Sequence, residues 1–169
     1  SLTLAGDGKQ SVFLREADYV SNMLASRFGA YGQIRLVNHR DHLMNRPMAT
    51  RENLRRAAQT LAERSGPEDL VFIYLTSHGT SAHELVLDQP RLELADLPAD
   101  ELATALAPLK NRDKIIVISS CYSGGFIPAL KDERTLIMTA SQADRVSFGC
   151  SEEAVSLIHI SEPTRPERI

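Results

Sequence analysis

Short apolar runs alternate along the chain with stretches whose apolar residues recur every three or four positions. Leu2–Ala5, Ile34–Val37, Leu70–Leu75, Ile115–Ile118 and Thr135–Ala140 are the runs. All five predict strands; Leu70–Leu75 and Ile115–Ile118, unbroken and bounded by polar residues, predict strands buried on both faces, as in a parallel sheet, and Thr135–Ala140 predicts another buried strand. Phe13, Ala17, Val20, Leu24 and Phe28 share one helical face, and Gly29 follows as a stop. A second helix begins at Thr50, carries Leu54, Ala57, Ala58 and Leu61 inward, and ends before Gly66-Pro67. A third, Leu97–Leu109, holds Leu102, Leu106 and Leu109 and crosses into the Ile115 strand. Strand, helix, strand predicts parallel pairing with a right-handed crossover. Leu85-Val86-Leu87 and Leu92-Glu93-Leu94, split by Asp88-Gln89-Pro90, predict a small hairpin outside the sheet. Phe126–Leu130 is short and apolar, suited to packing beneath a loop.

The chain has 169 residues, enough for one domain with a real core. A net charge of −3 without any Lys/Arg run argues against nucleic acid as a partner. No apolar stretch is long enough to span a membrane, and no signal peptide is visible. The chain starts at Ser1, as a piece of something longer would. A periplasmic or membrane-associated parent protein is favoured over a cytoplasmic one.

The candidate chemistry sits at two strand ends. The Ile115–Ile118 run leads through Ser119-Ser120 to Cys121, then to Ser123-Gly124-Gly125, which let the backbone turn sharply. Open α/β sheets place their sites at such carboxyl ends. Taken alone, Cys121 reads as a small buried hydrophobe rather than a nucleophile. The Leu70–Leu75 run changes the balance, because it ends in Thr76-Ser77-His78-Gly79. If the two strands are parallel neighbours, His78 can serve as the base that the Cys121 thiol needs. The N–H groups of Gly79 and Cys121 can then hold an oxyanion. Two cysteines do not make a disulfide framework, and a nucleophile must stay unpaired. His39, Asp41, His42 and His83 lack metal-site spacing and read as wet-loop residues, so no metal and no cofactor is expected. Gly6-Asp7-Gly8 reads as a turn; the dinucleotide fingerprint is absent.

Tyr74–Gly79 and Ile118–Gly124 resemble the His-Gly and pre-cysteine motifs of the legumain family, asparaginyl endopeptidases grouped with the caspases, and here of bacterial type. His78 precedes Cys121 by 43 residues, against about 50 in the caspase signature. Thr139–Cys150 is similar to the legumain segment that walls the specificity pocket, with Ser147 at the pocket-lining position. The resemblance runs from about Leu4 to about Ala154. It implies a three-layer caspase-like α/β fold: a mostly parallel central sheet with helices on both faces, its C-terminal part truncated. It implies a cysteine endopeptidase acting on peptide or protein through a thioester, cutting after Asp or Asn. A transpeptidase or ligase, or a non-catalytic peptide-binding module, are the alternatives. The legumain pocket uses an arginine, a glutamate two residues before the cysteine, and the serine matched by Ser147. Here Ser119 stands in the glutamate's place, and Arg15 lies one position off the arginine's register. Cys150 reads as structural. The peptidase domain is expected over residues 1–155, with Ser156–Ile169 a non-native tail.

Overall fold

The computed structural model describes residues 1–147. Cys150, the domain boundary at 155 and the tail Ser156–Ile169 lie outside the described residues. Elements follow in the order β1 (Leu2–Ala5), α1 (Ser11–Phe28), β2 (Ile34–Val37), α2 (Arg51–Arg64), β3 (Leu70–Thr76), β4 (Glu84–Leu85), β5 (Leu97–Pro98), α3 (Ala99–Leu106), β6 (Asp113–Ser119), α4 (Ile127–Leu130) and β7 (Thr135–Thr139). Strands β2-β1-β3-β6-β7 form one sheet in that order, every pair parallel.

Helices cover both faces. Ile73, Leu75, Ile116 and Ile118 pack against Leu54 and Ala57 of α2, Leu102 and Leu106 of α3, and Leu130 of α4. On the other face Tyr74 and Val117 pack against Val20 and Leu24 of α1. Phe126 and Leu130 are buried in the larger core, as the Phe126–Leu130 pattern implies. Gly29 stops α1 with φ 67°, a left-handed conformation that glycine adopts without penalty. Thr50 caps α2, its hydroxyl accepting from the Asn53 N–H at 3.0 Å.

Three expectations are corrected. The hairpin partner of Glu84–Leu85 is Leu97–Pro98, not Leu92–Leu94. A tight turn at Pro90-Arg91, closed by the Leu92 N–H on the Gln89 carbonyl, leads the chain away first. Because Leu97–Pro98 is spent on that pairing, α3 begins only at Ala99. Among the described residues β7 is an edge strand rather than one buried on both faces. Leu136 and Met138 are exposed, since they share the face of Ile115 and Val117, and α1 lies over β1 and β3 instead.

Candidate active site

The register of the sheet brings the two strand ends together. β3 and β6 pair in parallel along their length, with Thr76 opposite Ser119 at the carboxyl end. His78 and Cys121 each lie two residues further on. Gly79 crosses so close to β6 that a Cβ on it would stand 2.0 Å from the Cys121 carbonyl oxygen and 3.0 Å from Ser120 Oγ. On its other side Gly79 faces Leu85, flanked by bonds from the Val86 N–H to the His78 carbonyl and from the Thr80 N–H to the Glu84 carbonyl. That ladder does not use the Gly79 N–H, which therefore points away from it.

His78 is half-buried and held from two sides. Its Nε2 is 3.5 Å from Oδ2 of the buried Asp7. The Phe13 ring of α1 meets the imidazole edge-on, centroids 5.0 Å apart. Asp7 escaped the sequence reading, where Gly6-Asp7-Gly8 is only a turn. The available signal is its place just past a fully buried strand. Gly6 has to be glycine there, since a Cβ would lie 2.5 Å from the Val86 carbonyl oxygen.

The loop after Cys121 turns differently from the expectation. The left-handed residue is Tyr122, at φ 56°, and neither Gly124 nor Gly125 has positive φ. A non-glycine residue in that region stores strain, and such residues concentrate at functional sites. The glycines are needed for close approach instead. A Cβ on Gly124 would lie 2.7 Å from the Ala143 nitrogen, and one on Gly125 would lie 2.0 Å from the His83 ring. Ser123 and Ser141 clasp the two loops reciprocally, each backbone N–H donating to the other's hydroxyl at 3.0 Å. The Ser141 O–H also donates to the Ser120 carbonyl. His83 bonds the Ala143 carbonyl through Nε2 at 2.9 Å.

The expectation of an unpaired thiol does not hold. Cys121 is buried and disulfide-bonded. The loop from Ser141 carries the later chain directly to this sulfur. The Ser147 N–H donates to Sγ at 3.3 Å, and Ser147 Oγ lies 3.9 Å from it. Ser147 thus stands at the candidate nucleophile.

Ser119 is buried at the end of β6, beside Tyr74. Arg15 is exposed on α1, and the inward residue at that turn is Glu16. The Glu16 carboxylate accepts from the Thr76 hydroxyl at 2.6 Å and the Tyr74 phenol at 3.2 Å. Burial, and then the Glu16 charge, push the Tyr74 phenol well above its ordinary value. The structure therefore brings Ser119 and Ser147 to the sheet's carboxyl end. None of the described contacts joins Arg15 to either.

A serine, a histidine and an aspartate also meet elsewhere. Ser11 Oγ is 2.9 Å from His39 Nε2, and Asp41 lies beyond the ring. The Asp41 backbone N–H donates to His39 Nδ1 at 3.2 Å, so the ring hydrogen sits on Nε2 and is given to Ser11. An imidazole in that state has no lone pair left for the serine proton. Burial also lowers the His39 pKa.

A model described as the peptidase C13 family matches residues 51–158, a span that includes both His78 and Cys121. No curated protein matches the chain. Among solved structures, the crystal structure of caspase-1 from Spodoptera frugiperda is similar, with a TM-score of 0.56 and 14% identity over 87% of this chain. The chain spans 60% of that caspase's length, and at this identity the likeness speaks for the fold alone. The fold is caspase-like, a parallel sheet between helices. With the family match covering well over half of its length, the chain belongs to the peptidase C13 family, the legumain family of cysteine peptidases.

Proposed function

We propose that this domain is a cysteine endopeptidase in which Cys121, once reduced, attacks the scissile carbonyl and His78 moves the proton. The observation that carries this reading is the parallel β3–β6 register, which sets His78-Gly79 beside Cys121 at the carboxyl edge. The Cys121 S–H proton passes to the imidazole, the thiolate adds to the carbonyl carbon, and the N–H groups of Gly79 and Cys121 hold the oxyanion. The imidazolium then gives its proton to the leaving amine, leaving a thioester. Water resolves the thioester, returning Cys121 as a thiol; an amine in place of water would make the same site a ligase.

Peptide or protein is the substrate class that a C13 peptidase implies. Ser147 stands at the sulfur, where it lines the pocket for the residue before the cut. Ser119 supports that pocket from β6, and Arg15 is the basic residue on the adjoining helix. Cleavage after Asp or Asn is the preference that the family resemblance implies.

The disulfide at Cys121 favours a second reading, a peptide-binding module whose sulfur is structural. Labelling of the reduced protein with a peptide acyloxymethyl ketone, followed by mapping of the modified residue, separates the two. Modification of Cys121 with loss of turnover supports the peptidase. Reduced, folded protein that neither reacts nor cleaves any member of a library varied before the cut supports the module.

A further inference from the structure

The carboxyl edge of the sheet continues past His78. Strand order β2-β1-β3-β6 sets the ends of β1 and β2 beyond β3, on the side away from Cys121. Lys9 follows β1 there, and Arg40 follows β2. Together with Arg91, from the turn after Asp88-Gln89, they line a cavity of about 590 Å³ whose wall also includes Asp41 and Gln89. We propose that this cavity is a subsite for an acidic side chain of the peptide substrate, about three residues after the cut. The inference rests on the peptidase reading, with Cys121 attacking and His78 serving the leaving amine.

The chain as a whole carries −3, yet cations predominate here. Lys9 Nζ is already paired with Asp88 at 2.9 Å. Asp41 opposes an anion, and its carboxylate is 3.9 Å from His39 Nδ1. Lys9, Arg40 and Arg91 against Asp41 and Asp88 still leave a surplus of one positive charge. Arg40 and Arg91 are exposed, and among the described residues neither guanidinium has a hydrogen-bond or ion-pair partner. Two unmatched guanidiniums on one cavity can grip a carboxylate through charge-assisted hydrogen bonds. Gln89 narrows the class of ligand. It is 2% exposed, its Nε2 donates to the His39 carbonyl at 3.1 Å, and its Oε1 has no partner. A buried acceptor left unmet costs free energy. A free anion offers that oxygen nothing, whereas a peptide residue brings a main-chain N–H beside its carboxylate.

Strand order fixes which part of the substrate arrives there. Ser147, carried by the loop after β7, stands at the sulfur, and β7 neighbours β6. The residue before the cut therefore lies toward β7. The amine that His78 protonates departs on the opposite side, toward β1 and β2. Neighbouring strands are about 4.8 Å apart, so these two lie about 5 and 10 Å beyond β3. An extended peptide advances about 3.3 Å per residue, which brings roughly the third residue after the cut to the cavity.

Peptides with a single Asp scanned through the residues after the cut, each compared with its Ala counterpart, test this on the reduced protein. The expected result is a kcat/KM about 10-fold higher for Asp near the third residue, carried mainly by KM and fading as salt rises to about 0.5 M. In the double variant Arg40→Gln, Arg91→Gln the Asp-to-Ala ratio should fall to about one. Fluorescence anisotropy with the same labelled peptides on the oxidised protein, whose blocked sulfur cannot attack, should show the same preference in Kd. Equal values for Asp and Ala at every position, or a preference that survives in the double variant, overturns the proposal. Asp-selective binding without any cleavage by the reduced protein leaves the acidic subsite standing while the peptidase reading falls.

Discussion

Gly79 and Cys121 approach across the β3–β6 seam so closely that no side chain fits between them. The obstacle is the Cys121 backbone, which cannot swing away as a side-chain tip can. Gly79→Ala is therefore expected to displace an oxyanion donor and to lower turnover by about 10²-fold or more. It should destabilise the fold as well. Gly32→Ala is the control, since a Cβ there meets nothing within 4 Å and the change should be neutral. Paired measurements of kcat and urea midpoint check this; equal effects of the two substitutions would contradict it.

Reduction is expected to switch on Cys121. Without a reductant, a disulfide-bonded sulfur gives no thiolate, and iodoacetamide should leave Cys121 unmodified. With reductant, alkylation of Cys121 should appear, because the freed thiol can ionise and react. Cys121→Ala should remove labelling and turnover under both conditions. Peptide mass mapping across a pH series reads the outcome, and turnover by Cys121→Ala would remove the nucleophile assignment.

Stability should decline as pH falls below 6.5, the ordinary histidine value. Burial lowers the His39 pKa in the folded protein, with Asp41 opposing and His42 and Arg40 adding to the shift. Below 6.5 the unfolded chain takes up a proton at this position and the folded one does not. Stability therefore drops with pH until folded His39 titrates too. His39→Gln should flatten the fall in Tm between pH 7.5 and pH 5. Parallel curves for the two proteins would show that another group is responsible.

Thr50→Ala should cost about 1 kcal/mol, because the Asn53 N–H loses its side-chain acceptor at the start of α2. The urea midpoint should shift without a change in slope, and the reactivity of Cys121 should be untouched, since α2 lies far along the chain from both loops of the site.

Much of this was readable where one strong signal sat on one strand. Leu70–Leu75 and Ile115–Ile118 are apolar runs without rivals, and their parallel pairing follows from the crossover between them. His78 and Cys121 are placed by that pairing alone. Asp7 needed more, because its meaning depends on β1 lying next to β3, although three other elements, α1, β2 and α2, intervene in the chain. Strand order of that kind is a long-range property with no local trace. The Tyr122 turn was hidden for the opposite reason. Gly124 and Gly125 offered a ready explanation for the bend, whereas their real task is to admit the 141–143 loop and the His83 ring.

The reciprocal bonds between Ser123 and Ser141 weld the segment bearing the sulfur to the one leading toward Ser147. On the proposed reading, with Cys121 cutting and Ser147 lining the pocket, substrate choice and bond-breaking share this one clasp. Any mutation that retunes which peptide is accepted will tend to disturb how fast it is cut, so new preferences in such a domain should arise in coupled pairs of changes rather than singly.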